Sequence, residues 1–188
     1  MLWFIIVCGY LVGSIPTAYI AGRLLKKTDI REMGDGNAGA RNAYHNLGPR
    51  AGISIFCIDA AKGVLIILIA RAAEIPQPAI LAAGAFTVVG HTWPVYIGFK
   101  GGRGESTTIG VLAAVVTLPM LILALPTIAT LYFKKSVYWA SVVMFIPLPF
   151  ICWWMGFSTV LIIFSVTLPV LVGITTWIRE RHRLIRTA

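Results

Sequence analysis

The sequence predicts an all-α integral membrane protein. Of its 188 residues, 58% are hydrophobic and only 12% are charged, and the mean hydropathy is +0.85. A water-soluble domain of this length could not bury so much apolar side chain, whereas a lipid bilayer would solvate it. Several apolar stretches also approach the ~20 residues that one helix needs to cross a membrane. Lipid is therefore expected to surround most of the chain.

Five apolar stretches have the length of a membrane span. Each is bounded by charge or by glycine and proline: Leu2–Gly22, Gly52–Ala70, Ala79–Phe99, Trp139–Met155 and Phe157–Trp177. The first apolar run has no basic residue before it and no small-residue cleavage site after it, because Arg23 follows almost directly. We expect this run to be a retained helix and not a signal peptide.

The stretch 107–133 is too long for one upright helix and short for two. As one helix, it would place the lysines at 134–135 on the opposite side of the membrane from the other basic clusters. As two short helices that turn near Pro119, it leaves fourteen of the sixteen basic residues on one side, with Arg71 outside and Lys62 embedded. The positive-inside rule therefore favours seven helices, with the N-terminus outside and the C-terminus in the cytoplasm. A single tilted helix is the alternative.

The rest of the chain offers no sign of a second domain. No internal repeat, low-complexity segment or soluble insertion is present, so residues 1–188 are expected to form one transmembrane domain. The three cysteines lie inside apolar runs without CxxC or zinc-ligand spacing, which is typical of small buried hydrophobic residues. They are Cys8, Cys57 and Cys152.

Two loops on the predicted cytoplasmic side are rich in glycine and positive charge. One contains GDGNAGARNAYHNLG at 34–48 and the other GFKGGRGESTT at 98–108. Because glycine lacks a Cβ, successive backbone N–H groups can turn toward an oxyanion and form a nest. Nearby helix N-termini would favour an anion further, and Lys100 and Arg103 supply full positive charges. We therefore predict a phosphate site. Side chains that would add neutral donors are Asn37, Thr107 and Thr108.

A simpler interpretation of the same loops stays open. Glycines in short membrane loops often serve only tight turns, and edge cations often serve only topology and anionic headgroups. Neither loop matches GxxxxGK[ST], which argues against a nucleotide P-loop. The polar stretches KKSVYWAS (134–141) and RERHRLIR (179–186) complete the predicted cytoplasmic set.

Four polar residues inside or beside apolar runs are further candidates. Asp59 and Lys62 lie one turn apart, so we expect them to pair, with a proton or substrate path as the alternative. His91 could be an acid–base group or a hydrogen-bonded structural residue. Ser141, one turn into its predicted helix, could pack or donate to a ligand.

Four motifs and one serine run in order over nearly the whole chain: GNAGARNA at 36–43, DAAKG at 59–63, GHTWPV at 90–95, GFKGGRG at 98–104, and Ser141. Together they resemble the bacterial acyl-phosphate-dependent glycerol-3-phosphate acyltransferase family. The family's seven-helix topology, with its N-terminus outside, agrees with the charge argument.

The resemblance implies transfer of a fatty acyl group from acyl phosphate to the 1-hydroxyl of glycerol 3-phosphate, in phospholipid synthesis. It implies a site on the cytoplasmic face of a bacterial inner membrane, with no metal, coenzyme A or nucleic acid. The implied catalytic residues are Arg103, Ser141 and Asn37. The implied substrate-binding residues are Gly36, Gly39, Asn42, Lys100, Gly101, Gly102, Gly104 and Thr107.

Several positions depart from the family's pattern. Asp35 stands where the family has serine, Arg41 where it has threonine, and Arg103 and Glu105 where it has lysine and valine. His45 replaces a usual arginine, and the family's histidine and asparagine near the C-terminus align with Ile178 and Arg181. A carboxylate ~4 Å from a phosphate costs about 4 kcal/mol at an effective dielectric constant of 20.

These departures leave several functions open. In a rebuilt pocket, Asp35 and Arg41 would pair with Glu105, Arg103 or Arg181, and the acceptor could be a related polyol phosphate. A non-catalytic paralogue that binds lipid or regulates is a second possibility. A small-anion transporter is a third, although the chain lacks the inverted repeat common in carriers.

Overall fold

Most of the chain is α-helical in the part that the structure describes. This computed structural model describes residues 2–187, with the side chains of residues 2–178 and of Arg181. Two short 3₁₀ turns, Ile30–Glu32 and Val95–Ile97, lie in the loops. The ten α-helices are α1 Leu2–Ser14, α2 Thr17–Lys26, α3 Ala40–Asn46, α4 Pro49–Ala72, α5 Gln77–Thr92, α6 Glu105–Val115, α7 Thr117–Lys134, α8 Val137–Phe145, α9 Leu148–Trp154 and α10 Thr159–Thr187.

The predicted all-α membrane class is confirmed. Six helices or helix pairs in the described residues are long and apolar enough to cross a membrane: Leu2–Lys26, Pro49–Ala72, Gln77–Ile97, Thr117–Lys134, Val137–Trp154 and Thr159–Ile178. The apolar helix α6 has 11 residues, about 16 Å at 1.5 Å per residue, which is about half the thickness of a bilayer core. Seven crossings and an outside N-terminus stay predictions.

The stretch 107–133 divides into two helices, as predicted. The break lies at Val116, which has φ −124° and ψ 61°, close to Pro119, where the turn is predicted. Pro119 falls in the first turn of α7, where a backbone N–H has no partner inside the helix and its absence costs little.

Two predicted spans are interrupted at prolines. The first breaks between Ser14 and Thr17, around Pro16, and the predicted span Trp139–Met155 breaks at Ile146–Pro147. Proline removes a backbone donor and disfavours helix in the residue before it, which accounts for both breaks. The first break leaves the Ile15 carbonyl available to a buried side chain described below.

The chain divides into two compact units, Met1–Val111 and Leu112–Ala188. In unit 1, α1 packs closely on α5. Glycine at positions 9, 13 and 90 permits this approach, because a Cβ at Gly9, Gly13 or Gly90 would collide with the facing backbone. Close approach through small residues is a common way for helices to associate in lipid. In unit 2, the α7–α8 pair turns at Lys135, which has φ 49°. The predicted single domain stays a prediction.

Candidate active site

Asn42 organises the first glycine-rich loop. Its amide nitrogen donates to the carbonyls of Ile30, Met33 and Asn37 at 2.9, 3.0 and 2.9 Å. Its amide oxygen accepts from the Asp35 N–H at 3.3 Å. Since Asn42 is buried on α3, its polar atoms are used to fold the loop. The structure therefore gives Asn42 a role inside the loop, and the substrate binding that the resemblance implies for it stays a prediction.

Glycine is required in this loop where the backbone turns. Gly34 and Gly36 have φ values of 57° and 73°, the left-handed region that side chains disfavour. A Cβ at Gly34 would also collide with the amide groups of Asn42 and Asn46. Gly39 differs, since it is extended and directly precedes α3.

An ion pair joins the first loop to the second. The Asp35 carboxylate lies 3.3 Å from the Arg103 guanidinium. Its other oxygen accepts the Asn37 N–H at 3.1 Å. The two charged side chains are 22% and 19% exposed, so the pair is partly shielded but open to a solute. Of the predicted charge pairings, this is one that the structure contains.

Arg31 forms a second link between the loops, which the sequence analysis missed. It binds the Asp29 carboxylate in a two-pronged arrangement, with distances of 3.0 and 2.7 Å. Its remaining nitrogen donates to the carbonyls of Ile97 at 2.8 Å and Lys100 at 3.4 Å. The Arg31 side chain holds the pKa of the Asp29 carboxyl below its ordinary value, and burial opposes this effect. Arg31 thus fixes the backbone that carries Lys100.

The second loop is built differently from the predicted nest. The Gly101 N–H donates to the Thr92 carbonyl at 3.2 Å, and the Gly102 N–H donates to the His91 carbonyl at 3.1 Å. These two N–H groups therefore face the protein and not a ligand. Positive φ within this loop occurs, among the described residues, at Gly98, Phe99 and Gly104.

Gly101 and Gly102 are needed for close packing. A Cβ at Gly101 would collide with the His91 carbonyl and Pro94, and a Cβ at Gly102 would collide with the His91 ring. Tertiary contact explains why glycine occurs at these two positions, because the backbone here lies against α5 and the residues just after it.

The side chains of the second loop divide into accessible cations and buried hydroxyls. Lys100 is exposed and Arg103 is half-buried. Thr107 and Thr108 are fully buried on α6, and their hydroxyls have no hydrogen-bond partner among the described residues. The two threonines predicted as phosphate donors are therefore directed into the helix packing, whereas the two cations are placed where a solute could meet them.

The predicted pairing of Asp59 and Lys62 is confirmed. The two charges on α4 lie 2.6 Å apart and are 1% and 6% exposed. Lys62 also donates to the Ile15 carbonyl at 2.6 Å and the Thr17 hydroxyl at 2.5 Å. Its three donors are thus used, as a buried ammonium requires.

The remaining predicted residues lie in several places. In unit 1, Arg41 is exposed on α3 and Glu105 begins α6. In unit 2, the Ser141 hydroxyl donates to the Val137 carbonyl at 2.8 Å on α8. Arg181 stacks its guanidinium over the Trp177 ring at 5.2 Å, next to the exposed Ile178. The other basic side chains of 179–186 lie outside the described residues.

Comparison with known proteins relates this chain to one enzyme family. The family model for glycerol-3-phosphate acyltransferase matches residues 3–187. Glycerol-3-phosphate acyltransferase 4 of Dehalococcoides mccartyi is 44% identical over 176 residues, which cover 94% of this chain and 95% of that protein. The glycerol-3-phosphate acyltransferase of Halalkalibacterium halodurans is 32% identical over 188 residues, covering 96% of this chain and 88% of that protein.

Solved structures agree with this relationship. The glycerol 3-phosphate form of PlsY (YgiH), an integral membrane glycerol 3-phosphate acyltransferase, matches with a TM-score of 0.84 and 30% identity, over 99% of this chain and 91% of that chain. The lysophosphatidic acid form matches with a TM-score of 0.81 and 29% identity, over the same shares of the two chains. With the glycine-rich loops, the buried Asp59–Lys62 pair and the helical fold all in place, the chain belongs to the glycerol-3-phosphate acyltransferase family.

Proposed function

We propose that this protein transfers a fatty acyl group from acyl phosphate to the 1-hydroxyl of glycerol 3-phosphate. The hydroxyl oxygen forms a bond to the acyl carbonyl carbon, and the bond between that carbon and the phosphate oxygen breaks. The hydroxyl proton leaves with the phosphate. The products are lysophosphatidic acid and inorganic phosphate. Family membership supports the reaction class, and relatives crystallised in glycerol 3-phosphate and lysophosphatidic acid forms support the acceptor and the product.

One observation carries the proposal: two loops far apart in sequence are tied together beside two accessible cations. The Asp35–Arg103 ion pair and the Arg31 bridge to Ile97 and Lys100 make these ties. Acyl phosphate is a mixed anhydride with a good leaving group, so the protein mainly has to hold two phosphates, align the hydroxyl and stabilise the oxyanion. Fixed cations at a partly shielded site suit that task.

The ion pair also offsets the electrostatic repulsion between the Asp35 carboxylate and the substrate phosphate. Alone, Asp35 would repel that phosphate by about 4 kcal/mol at ~4 Å and an effective dielectric constant of 20. Paired with Arg103, it forms a nearly neutral unit that orients the guanidinium, and Lys100 adds a positive charge nearby in the same loop. The pocket is therefore altered but still electrostatically suited to a phosphate.

The residue roles follow the family resemblance and the placement of each side chain. We assign Arg103 and Asn37 to the reacting groups, and Lys100 to a substrate phosphate. Ser141 is assigned a catalytic role on the resemblance alone. On the resemblance, the residues assigned to the remaining substrate binding are Gly36, Gly39, Asn42, Gly101, Gly102, Gly104 and Thr107. Of these, Asn42, Gly101, Gly102 and Thr107 would act by shaping the loops and not by direct contact.

We further propose that the site faces the cytoplasm from a bacterial inner membrane. The protein is multi-pass, with several apolar helices. Both loops of the site are basic, and basic loops favour the cytoplasmic side. Glycerol 3-phosphate would then reach the site from the cytoplasm, and the acyl phosphate from the membrane.

The test is an assay of the purified protein with palmitoyl phosphate, in which phosphate release is measured with and without glycerol 3-phosphate. We expect release that depends on glycerol 3-phosphate. Phosphate release of equal rate without any acceptor would identify a hydrolase. If a well-folded protein releases no phosphate, the protein is a non-catalytic member of the family.

A matched pair of arginine variants locates the site. Arg103→Ala should lower kcat/KM by about 100-fold, the scale expected when one charge-stabilising donor is removed. Arg71→Ala removes the same charge from the end of α4, away from both loops, and should leave activity within twofold. Equal loss in both variants would mean that general charge, and not the proposed site, supports activity.

A further inference from the structure

We propose that His91 is a positioning residue for acyl transfer, because its side chain connects the buried charge pair in the helices to the Gly101–Gly102 backbone of the second loop. The inference rests on the proposed function, since the loop it positions carries Lys100 and Arg103. His91 itself needs no contact with substrate for this role.

The buried end of the connection is fixed. Asp59 is 1% exposed, and its carboxylate oxygen accepts from Lys62 at 2.6 Å and from the Thr17 hydroxyl at 2.8 Å. Lys62 in turn donates to the Ile15 carbonyl, where the first span is broken. A buried charge that loses its partner costs several kcal/mol, so these groups are held strongly in place. They link α4 to the α1–α2 connection.

The His91 ring lies between this cluster and the loop. Its Nδ1 atom is 3.7 Å from the same Asp59 oxygen, and the side chain is 7% exposed. On the opposite edge of the ring, Nε2 faces Gly102 so closely that no Cβ fits between them. A shift of the ring would therefore displace the Gly102 backbone.

The backbone reinforces the contact made by the ring. The carbonyls of His91 and Thr92, at the end of α5, accept the N–H groups of Gly102 and Gly101. Ring and carbonyls thus hold the same dipeptide from one helix end. Since Arg103 follows directly, the placement of its guanidinium depends on this contact, and a misplacement of about 1 Å can cost about 100-fold in rate.

A double-mutant cycle tests the contact through catalysis. Gly102→Ala adds a methyl group that collides with the ring, and His91→Ala removes the ring. Each single variant should lower kcat/KM for glycerol 3-phosphate by about 10- to 100-fold. The double variant should be no worse than the poorer single variant, because the methyl group then occupies space that the ring has left. Losses that multiply would overturn the inference.

A second helix position controls for general destabilisation. Val88 is buried one turn before His91 on α5, and Val88→Ala should lower the Tm without changing kcat/KM by more than twofold. When Val88→Ala is combined with Gly102→Ala, the two effects on kcat/KM should multiply, which means that the two positions are not coupled. If Val88 and Gly102 are coupled as strongly as His91 and Gly102, the effect on kcat/KM arises from general packing. That result would also overturn the inference.

Further outcomes separate this inference from the proposed function. If His91→Ala does not fold, His91→Asn keeps a smaller hydrogen-bonding group and is expected to recover part of kcat/KM while still relieving Gly102→Ala. A folded His91→Asn that does not relieve Gly102→Ala contradicts the positioning role. If the wild type turns over substrate but the His91 and Gly102 variants lose kcat/KM independently, the positioning role alone is rejected. If a folded wild type shows no turnover, the proposed function and this role are rejected together.

Discussion

The Arg103 guanidinium lies 3.3 Å from the Asp35 carboxylate, across 68 residues of sequence. This pair joins the two glycine-rich loops. The rebuilt-pocket hypothesis, in which Asp35 and Arg103 stand where the resemblance implies other residues, predicts that these two charges contact each other. Loss of either charge would remove this ion pair from a partly shielded position.

Changing Asp35 toward the family residue should be harmful when done alone. Asp35→Ser leaves Arg103 without its carboxylate partner and removes the acceptor of the Asn37 N–H, so kcat/KM should fall about tenfold. Asp35→Ser combined with Arg103→Lys should recover more than the single effects predict, because coupled sites are not additive. Steady-state kinetics of the three variants measure this.

The matched control for Asp35 is Glu32→Ser, which removes an exposed acidic residue from the same loop and should change kcat/KM by less than twofold. The family-like set Asp35→Ser, Arg41→Thr, Arg103→Lys and Glu105→Val should be more active than its single-site losses predict. Independent effects at all four positions would contradict a rebuilt pocket.

Lys100→Ala and Gly101→Ala should weaken activity for different reasons. Lys100→Ala removes an exposed charge, so KM for glycerol 3-phosphate should rise about tenfold and become less sensitive to salt. Gly101→Ala keeps the charge but places a Cβ against the His91 carbonyl and Pro94. Its activity should fall while the salt dependence of KM stays that of the wild type. Full activity in Gly101→Ala would contradict the close packing of this loop.

Replacing Arg31 should change the pH dependence of stability. Arg31 lowers the Asp29 pKa in the folded protein, so the pair stabilises the fold above the ordinary carboxyl pKa of 3.8, and this stability is lost as pH falls through the lower folded value. Arg31→Met should lower the Tm by several degrees at pH 7. The difference from wild type should narrow below about pH 4.

The control for Arg31 is Arg50→Met, which removes an exposed arginine near the start of α4. It should leave the acid dependence of the Tm unchanged. A Tm difference between Arg31→Met and wild type that stays constant down to pH 3 would show that the Asp29–Arg31 pair does not carry the effect.

The turn between α7 and α8 tests the membrane topology. In a variant without Cys8, Cys57 and Cys152, a cysteine introduced by Ser136→Cys should be labelled by a membrane-impermeant maleimide only from the cytoplasmic side. The lysines at 134–135 are the physical reason, since basic loops stay inside. Labelling of intact cells from outside would reject the seven-helix topology.

The sequence predicted the helices well because apolar length alone identifies them. It predicted that 107–133 divides into two helices, since charge on both flanks constrained the topology, and Pro119 indicated the position of the turn to within a few residues. It did not predict the breaks within the first span and within Trp139–Met155, because proline is tolerated in membrane helices and composition does not show which prolines interrupt them. The kinked first span matters, since it exposes the Ile15 carbonyl to Lys62.

The site was predicted in its residue types more than in its contacts. The Asp35–Arg103 pair could be proposed because two unusual charges suggested compensation. Arg31 was missed because its acceptors are backbone carbonyls, one of them 66 residues away, which no side-chain pattern reveals. Gly101 and Gly102 were predicted to bind an anion, yet their N–H groups are used by α5, a contact that depends on tertiary packing.

The most direct test of the acyltransferase account is to identify and count the products. Purified protein given palmitoyl phosphate and glycerol 3-phosphate should form 1-palmitoyl lysophosphatidic acid and phosphate in equal amounts, measured by mass spectrometry and phosphate assay. Arg103→Ala should lower both together. A folded wild-type protein that forms neither product, with glycerol 3-phosphate or with related polyol phosphates, would contradict the account.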